Sequence, residues 1–297
     1  MGQTLNMIKV GFIGLGTMGL PMAVNLQKRG FQLTVYDTMK ERVDLAIKSG
    51  AVSATSPKEI ARESDVVMLS LPKAEISEAV VLGKNGVLEG AHSGLTLIDL
   101  STVPPDTVRK IEESVAKKGV EVLDAPVSGG RSGAEQATLT IMVGGKKDVY
   151  EKCLPIFEAI GRKIYHVGNL GSAETIKLMN SFVAISNLLI AKEALQIAET
   201  QGVDPKMMHK VIDVSTGQSW MWSNWISSVL ARKSIGSTPE IMLKDMDYAL
   251  RLAEKGGIDP EIGERVLHAI REWSKTTSTK SDVSVMFDFL KQKELGT

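Results

Sequence analysis

The sequence predicts an α/β domain with a doubly wound, mostly parallel sheet, joined to an all-helical second domain. Up to residue 170, short runs rich in β-branched residues alternate with amphipathic helical stretches, an order typical of parallel sheets covered by helices. Beyond Gly171 the strand-like runs stop and only helical patterns follow. We therefore predict domains at residues 1–170 and 171–297.

The elements of the first domain can be assigned in chain order. The predicted strands are residues 8–13, 32–36, 66–70, 95–99, 120–124, 138–143 and 163–167. The helices predicted between them are residues 20–29, 40–49, 57–63, 75–82, 105–118 and 147–160. Because such sheets bind ligands at the carboxyl ends of their strands, we expect the loops 71–73, 101–104 and 125–130 to contact a ligand.

A long apolar stretch opens the second domain. Residues 172–201 contain neither glycine nor proline, and their apolar residues are spread too widely for a surface helix with one apolar stripe. About 30 residues at the helical rise of 1.5 Å give roughly 45 Å, enough to serve both domains. We predict a long interdomain helix, followed by helices at residues 205–214, 220–230, 240–254, 260–273 and 283–293.

A glycine motif follows the first predicted strand and opens a helix. Gly14, Gly16 and Gly19 are spaced as G-x-G-x-x-G. In this setting the first glycine makes the tight turn, the second lets the backbone approach a pyrophosphate, and the third allows close packing of helix and strand. The motif predicts a dinucleotide-binding domain of the Rossmann type. Its predicted cofactor-binding residues are Gly14, Leu15, Gly16, Thr17, Met18 and Gly19.

An acidic residue at the end of the second predicted strand favours NAD as the cofactor. Asp37 lies about 20 residues after the glycines, where a carboxylate accepts hydrogen bonds from the adenosine ribose. An acid there repels the 2′-phosphate of NADP, and the next residue is Thr38 rather than an arginine. NADP stays the alternative because Lys40 and Arg42 follow closely.

The composition argues against several classes of protein. Basic and acidic residues number 35 each, so no charge excess indicates nucleic acid as a partner. No run approaches 18 apolar residues, which predicts no membrane span. The single cysteine, Cys153, cannot form an intramolecular disulfide, and the N-terminus lacks a secretory pattern, so we expect a cytoplasmic protein. The amphipathic pattern around Cys153 predicts an inert helix residue.

Hydride transfer in a cleft between the two domains would need a group that moves a proton at the reacting oxygen. The four histidines lie outside the predicted loops and lack metal-ligand spacing, so no metal site is predicted. Lys177 is the better candidate because it begins the long helix among apolar neighbours, where loss of water lowers the pKa of a lysine. Asn180 and Ser181 share its helix face. A solvated lysine is the simpler alternative.

Two further groups are candidates for ligand contact. Ser128, Gly129 and Gly130 combine a hydroxyl with glycine backbone amides, which suits a carboxylate, although an ordinary turn has the same sequence. Lys244 and Asp245 form a charged pair on an amphipathic helix, for which solvation is the simpler interpretation.

The helical domain carries more apolar residues than it can cover alone, which predicts a homodimer or homotetramer. Trp222, Trp225 and the apolar run 182–191 are the candidates for the interface, although the spacing of the tryptophans alone favours helix packing.

Several ordered motifs together resemble the β-hydroxyacid dehydrogenase family. They are GFIGLGTMGLPMAVNL (11–26), LSLP (69–72), DLSTVPP (99–105), DAPVSGG (124–130), TLTIMVGG (138–145), GSAETIKLMN (171–180) and LKDMDYAL (243–250). The resemblance covers nearly the whole chain. It implies the fold predicted above and reversible, NAD-linked oxidation of a short, carboxylate-bearing 3-hydroxy acid to its semialdehyde.

The resemblance also implies a role for each matching residue. Lys177 corresponds to the family's catalytic lysine, and Asn180 to a polar position that follows it. Ser128, Gly129 and Gly130 correspond to the loop that binds the substrate carboxylate. The residues that correspond to cofactor-contacting positions are Leu71, Pro72, Thr102 and Lys244.

Two departures from the family pattern fall at the substrate site. Ser181 stands where relatives have Asn or Gln, and residues 230–239 lack the Gly-Gly-Phe found in many relatives. The substrate is therefore open between a short 3-hydroxy acid and a small aldehyde acid such as glyoxylate, succinic semialdehyde or tartronate semialdehyde. A non-catalytic dinucleotide-binding regulator is the alternative outside the enzyme class.

Overall fold

The computed structural model describes residues 8–295, in two compact units that meet in the chain at Lys177 and Leu178. The described part of the first unit contains a nine-stranded sheet. Its strands are β1 (Lys9–Ile13), β2 (Gln32–Tyr36), β3 (Val52–Ser53), β4 (Val66–Leu69), β5 (Thr96–Asp99), β6 (Glu121–Asp124), β7 (Val127–Ser128), β8 (Leu139–Gly144) and β9 (Gly161–Gly168).

The strand order is β3-β2-β1-β4-β5-β6-β8-β7, with β9 paired to β8. All pairs from β3 to β6 are parallel, whereas β8 runs antiparallel to β6 and β7. The predicted doubly wound, mostly parallel sheet is confirmed. Its order changes direction between β1 and β4, and open sheets bind ligands at such a switch point.

The central strands are apolar on both faces because helices cover both sides of the sheet. Phe12 and Ile13 of β1 and Val67, Met68 and Leu69 of β4 are at most 1% exposed. The covering helices are α1 (Gly19–Lys28), α2 (Lys40–Lys48), α3 (Pro57–Glu63), α4 (Ala74–Leu82), α5 (Val87–Gly90), α6 (Pro105–Val115), α7 (Gly130–Glu135) and α8 (Lys147–Ile160). A 3₁₀ turn, Ala116–Lys118, continues α6.

The prediction of an open loop at residues 125–130 is wrong in part. Val127 and Ser128 form β7, which pairs with β8 opposite Ile141 and Thr140, and α7 begins at Gly130. A strand of two residues is too short to show an alternating pattern. Its conformation is decided by pairing with β8, so local sequence does not reveal it.

The second unit consists of helices and turns in the part of it that the structure describes. The long helix, α9 (Ser172–Thr200), begins in the first unit and continues into the second. It is followed by α10 (Pro205–Ile212), a π-helical turn (Met221–Ile226), α11 (Ser227–Leu230), α12 (Pro239–Lys255), α13 (Glu261–Thr276) and 3₁₀ turns (Val283–Leu295). The predicted all-helical second domain is confirmed, although the π-helical turn and the 3₁₀ turns replace regular α-helix.

The long helix is apolar enough to cross a membrane by length and composition alone, with a mean hydropathy of 1.3 over its most apolar 18 residues. The prediction that no apolar run approaches 18 residues did not anticipate a helix with this hydropathy. Leu188 and Leu195 are fully buried and pack in the core of the second unit with Met246 and Ile270. These contacts are typical of the core helix of a folded domain.

The expectation that Trp222 lies at an oligomer interface is wrong. Its side chain is 3% exposed and packs in the helical core, where its indole N–H donates to the His209 carbonyl over 3.1 Å. A buried tryptophan needs such an acceptor. Trp225 packs partly buried against the same core, and within the run 182–191 only Val183 and Ile190 are exposed.

Candidate active site

The glycine loop turns from β1 into α1, and each glycine has its own steric reason. Gly14 has a φ of +95°, and a Cβ there would lie 2.3 Å from the Ser70 carbonyl oxygen. A Cβ at Gly19 would lie 1.9 Å from the Gly14 carbonyl oxygen. At Gly16 the nearest atom that a Cβ would meet is Arg42 Nη1, at 3.9 Å. This open space beside a helix N-terminus fits the close approach of a pyrophosphate.

Asp37 joins the end of β2 to the glycine loop. Its Oδ2 accepts from the Leu15 N–H over 2.6 Å, and its Oδ1 from the Met39 N–H over 2.8 Å. Each carboxylate oxygen keeps a second lone pair, so Asp37 can still accept from a ribose hydroxyl as predicted. Arg42 Nη1 lies 3.7 Å from Asp37 Oδ2, and it is the cation nearest to Gly16. Arg42 therefore makes NADP a structurally reasonable alternative.

The loops after β4 and β5 are bonded to each other beside the glycine loop. The Leu71 N–H donates to Ser101 Oγ over 2.9 Å, and the Ser101 N–H donates to Asp99 Oδ1 over 2.9 Å. Leu71 Cδ2 would touch a Cβ at Gly14, at 3.0 Å. Leu71 and the next loop residue after Ser101, Thr102, are half-buried, whereas Pro72 is exposed. The predicted cofactor loops thus meet at one edge of the sheet.

The start of the long helix is held by two buried carboxylates. Asp124, the last residue of β6, accepts from the Gly171 N–H over 3.0 Å and from the Glu174 N–H over 2.9 Å. Glu174 Oε2 accepts from the Val103 N–H over 3.2 Å. Both side chains are fully buried. N–H groups in the first turn of a helix have no acceptor within it, and Asp124 supplies one. Lys177 is half-buried three residues further on.

Asp99 and Asp124 are register partners on the neighbouring strands β5 and β6. Burial raises the pKa of the Asp99 carboxyl, against hydrogen bonds from Ser101. Burial likewise raises the pKa of the Asp124 carboxyl, against the N–H groups of Gly171 and Glu174. The sequence placed both aspartates in motifs, but nothing in those motifs showed which side chains they contact.

The serine and glycine residues predicted to bind a carboxylate lie where β7 passes into α7. Ser128 is half-buried, whereas Gly129 (φ +131°) and Gly130 (φ +62°) are exposed. Both positive φ values favour glycine. Asn25 of α1 bonds α1 to α7, since its Nδ2 donates to the Ala134 carbonyl over 2.7 Å. The sequence gives little indication of this contact, because Asn25 is one amide on an apolar helix face.

In the second unit, Ser181 rather than Asn180 contacts the charged pair. Ser181 is buried, and its hydroxyl donates to Asp245 Oδ2 over 2.9 Å, whereas Asn180 is exposed. Lys244 Nζ lies 2.9 Å from Asp245 Oδ1 and 5.2 Å from the centre of the Tyr248 ring. The side chains of Lys244 and Asp245 are 19% and 9% exposed, so the interpretation of a solvated pair is wrong.

The segment that departs from the family pattern is organised by Asp282, a residue that the sequence did not indicate. Its carboxylate accepts from the N–H groups of Ile235 and Gly236 and from the Ser234 hydroxyl, over 3.1, 2.8 and 2.5 Å. Burial alone would raise the pKa of Asp282, but the hydrogen bonds from Ser234, Ser284 and Ile235 lower it to about 2.

Comparisons with known proteins agree with this arrangement over both units. A family model described as the NAD binding domain of 6-phosphogluconate dehydrogenase matches residues 9–168. A second model, described as NAD-binding of NADP-dependent 3-hydroxyisobutyrate dehydrogenase, matches residues 171–290. The chain belongs to the β-hydroxyacid dehydrogenase family.

Named relatives of this β-hydroxyacid dehydrogenase act on several small acids. The present chain is 37% identical over 253 residues to 2-(hydroxymethyl)glutarate dehydrogenase of Eubacterium barkeri, and the match covers 84% of each chain. It is 38% identical over 205 residues to 2-hydroxy-3-oxopropionate reductase of Escherichia coli, covering 69% of this chain and 70% of the relative. A structure of Mycobacterium tuberculosis 3-hydroxyisobutyrate dehydrogenase with L-serine is 28% identical, with a TM-score of 0.86 over 96% of this chain and 99% of that one.

These findings confirm the predicted family, the enzyme class and the nicotinamide cofactor. The β-hydroxyacid dehydrogenase is an NAD(P)-dependent oxidoreductase that acts on the hydroxyl group of a hydroxy acid. In the first unit, a hydrogen bond links Leu15 with Asp37, and Leu71 Cδ2 lies 3.0 Å from where a Cβ at Gly14 would stand. Asn180 and Lys244 belong to the second unit.

Proposed function

We propose that the enzyme interconverts a short 3-hydroxy acid and its semialdehyde, with Lys177 as the proton donor and acceptor. The observation that carries this proposal is the fixed start of the long helix. Asp124 anchors that start to the end of β6, and Glu174 anchors it to Val103 beside the cofactor loop. Lys177 follows within one helical turn, so its backbone is held at the sheet edge where a dinucleotide binds.

The names of the relatives support the substrate class. In 2-(hydroxymethyl)glutarate, 3-hydroxyisobutyrate and L-serine a hydroxymethyl group is attached to the carbon next to a carboxylate. We propose that Ser128 and the exposed backbone amides of Gly129 and Gly130 bind that carboxylate in this enzyme. Two glycines with positive φ leave their N–H groups unshielded by side chains, which suits an anion.

A bound nicotinamide would supply the hydride acceptor for the carbon that carries the hydroxyl group, and the glycine loop with Leu71, Pro72 and Thr102 would hold the dinucleotide. Lys177 Nζ, in its neutral form, accepts the hydroxyl proton, and in the reverse direction its ammonium returns a proton to the carbonyl oxygen. The carboxylate held at Ser128 orients the substrate. Acid–base catalysis of this kind contributes roughly 10²–10⁴-fold to the rate.

We propose NAD as the preferred cofactor. Asp37 places a carboxylate beside the glycine loop, and its negative charge opposes a 2′-phosphate. Arg42 lies against Asp37 on the exposed side and offers the nearest positive charge, so NADP remains the alternative to be measured.

We also propose a homodimer or homotetramer in a reducing cytoplasm. Ile176, Val183, Ile190 and Ile197 recur every seven residues along the long helix and are 43–66% exposed. Such a stripe is typical of a helix face that packs against another chain. Cys153 is buried and free, which suits a reducing compartment.

The central test is a Lys177→Ala variant assayed with a panel of 3-hydroxy acids, following NADH absorbance. We expect kcat to fall by roughly 10²–10⁴-fold, with the Kd for NADH unchanged. Lys192→Ala is the matched control, because Lys192 lies on the same helix and its Nζ donates to Gln196, one turn further along that helix. Near-normal turnover of the Lys177 variant would contradict the proposed role.

The second candidate is a reductase of a small aldehyde acid, and the 38% identity to 2-hydroxy-3-oxopropionate reductase favours it. The kcat/KM values for tartronate semialdehyde, glyoxylate and succinic semialdehyde, with NADH and NADPH, distinguish the two candidates. A value highest for tartronate semialdehyde selects the reductase. Absence of any absorbance change, despite tight NADH binding, would instead select a non-catalytic regulator.

A further inference from the structure

A series of hydrogen bonds, the first part-buried and the others buried, runs from the cofactor loops to the helix that carries Lys177. It begins at the Leu71 N–H, which donates to Ser101, and resumes at the Val103 N–H, which donates to Glu174. It ends at Asp124, which accepts from the N–H groups of Gly171 and Glu174. All the residues in this series of hydrogen bonds belong to the first unit.

We infer that Asp124 and Glu174 are positioning residues, which set where Lys177 stands relative to the Thr102 loop. This inference rests on the proposed role of Lys177. The carboxylate of Asp124 joins the residue before the helix, Gly171, to the third residue inside it, Glu174. Both N–H groups face the same carboxylate, so these two bonds hold one side of the first turn against the end of β6 and fix its position and rotation there. Lys177 is three residues beyond Glu174, so the position of this first turn also sets the position of the Lys177 backbone.

Asp124 needs both of its oxygens for this task. Each oxygen accepts from a different N–H group, whereas an asparagine side chain has one acceptor oxygen and an NH₂ group that faces a donor. A fully buried carboxylate is costly to keep in a protein core without partners. The hydrogen bonds from the N–H groups of Gly171 and Glu174 therefore replace water at the buried Asp124 carboxylate.

Glu174 forms the second connection, from the helix to the loop. Its Oε2 accepts from the N–H of Val103, the residue directly after Thr102. One side chain thus ties the residue that follows Thr102, a position that corresponds to a cofactor contact, to the helix that carries the proposed proton donor. A displacement of about 1 Å between reacting groups costs roughly 10²-fold in rate, so loosening this connection has a measurable kinetic effect.

The experiment compares Asp124→Asn and Glu174→Ala with the wild-type enzyme, and each is also combined with Lys177→Ala. We expect each single variant to lower kcat by 10- to 100-fold while the Kd for NADH stays within twofold. Glu174→Gln, whose amide oxygen can accept from Val103, should recover most of the loss seen with Glu174→Ala. The matched control is Asp65→Asn, because Asp65 accepts from the Lys9 N–H over 2.9 Å at the opposite end of β1.

The combined variants separate positioning from a merely structural role. If Asp124 acts through Lys177, adding Asp124→Asn to Lys177→Ala lowers kcat by less than twofold, since the group being positioned is already gone. An equal fall in both backgrounds overturns the inference, as does a kcat within threefold of wild type for both Asp124→Asn and Glu174→Ala. If Asp124→Asn does not fold, the Glu174 series decides the outcome by the same criteria.

The failure of this inference differs from the failure of the proposed function. If Lys177→Ala retains near-normal turnover, Lys177 is not the proton donor, and the inference falls with it. If Lys177→Ala is impaired but the Asp124 and Glu174 variants are not, only the positioning role is overturned.

Discussion

Substituting alanine for Gly16 tests the cofactor site with little disturbance of the fold. Gly16 has a negative φ, and an added Cβ would meet only Arg42 Nη1 at 3.9 Å among the atoms within 4 Å. The methyl group therefore fits the protein but occupies the space above the loop backbone, where the pyrophosphate is expected to approach. Gly16→Ala should fold normally and bind NADH poorly.

The size of both effects follows from the structure. An alanine in a compatible conformation stabilises a protein by about 0.4–1 kcal/mol, because the unfolded chain loses freedom. For a unit of this size that corresponds to a melting temperature roughly 1–4 °C higher. Pushing the phosphates away loses about one or two charge-assisted hydrogen bonds at roughly 1.5–3 kcal/mol each. The Kd for NADH should therefore rise by at least about 10-fold.

The assay pairs a fluorescence titration of NADH with thermal unfolding, and Gly19→Ala is the contrasting variant. A Cβ at Gly19 would lie 1.9 Å from the Gly14 carbonyl oxygen, so helix and loop must move apart. We expect that variant to lose about 1–3 kcal/mol of stability. A Gly16→Ala enzyme that binds NADH as tightly as wild type would refute the assignment of Gly16 to the pyrophosphate.

Two further predictions concern titrating groups. Because the folded pKa of Asp282 is about 2, below its usual 3.8, its contribution to stability is present above about pH 4 and is lost as the pH falls towards 2. Urea unfolding should show Asp282→Asn less stable at pH 6 by about 1 kcal/mol, a value reduced for solvent screening, with the difference vanishing near pH 2. Burial raises the pKa of Cys153 to about 12, so a thiol-disulfide reagent at pH 8 should label it only after denaturation. Rapid labelling of the native enzyme, or an Asp282 difference that persists at pH 2, would contradict these predictions.

Sequence reasoning succeeded where the determinants are local. The spacing of Gly14, Gly16 and Gly19 between a strand and a helix specifies a turn in which a side chain at Gly14 or Gly19 would collide with a backbone carbonyl oxygen. The mostly parallel sheet likewise follows from alternating strands and helices, because parallel strands need crossover connections. The fold of the first unit and the type of cofactor were therefore predictable.

The hydrogen bonds that hold the helix start before Lys177 were not predictable, because the residues that form them are far apart in the chain. Asp124 accepts hydrogen bonds from Gly171 and Glu174, which lie 47 and 50 residues further along the chain. Glu174 lies 71 residues from its own donor, Val103. No local pattern distinguishes such a buried carboxylate from a solvated one. Only the folded sheet edge brings these groups within hydrogen-bonding distance.

The contacts of two residues of the second unit were not predictable for a related reason. Ser181 departs from the family pattern, and its hydroxyl donates to the buried Asp245. Trp222 was a candidate for an oligomer interface, but its N–H donates to the His209 carbonyl inside the core. In both residues a polar atom has a partner on a different helix, and helical periodicity describes only one helix at a time.

The hydrogen bond from Asn25 to the Ala134 carbonyl has a consequence for ligand binding. It fastens the helix that begins at the glycine loop to the short helix that begins at Gly130. A ligand that orders one of these helices therefore lowers the entropy lost when a second ligand orders the other. By thermodynamic reciprocity, the dinucleotide and the carboxylate should each strengthen the binding of the other by the same factor. An acid bound at the proposed Ser128–Gly130 site would therefore bind most tightly once the cofactor is already in place.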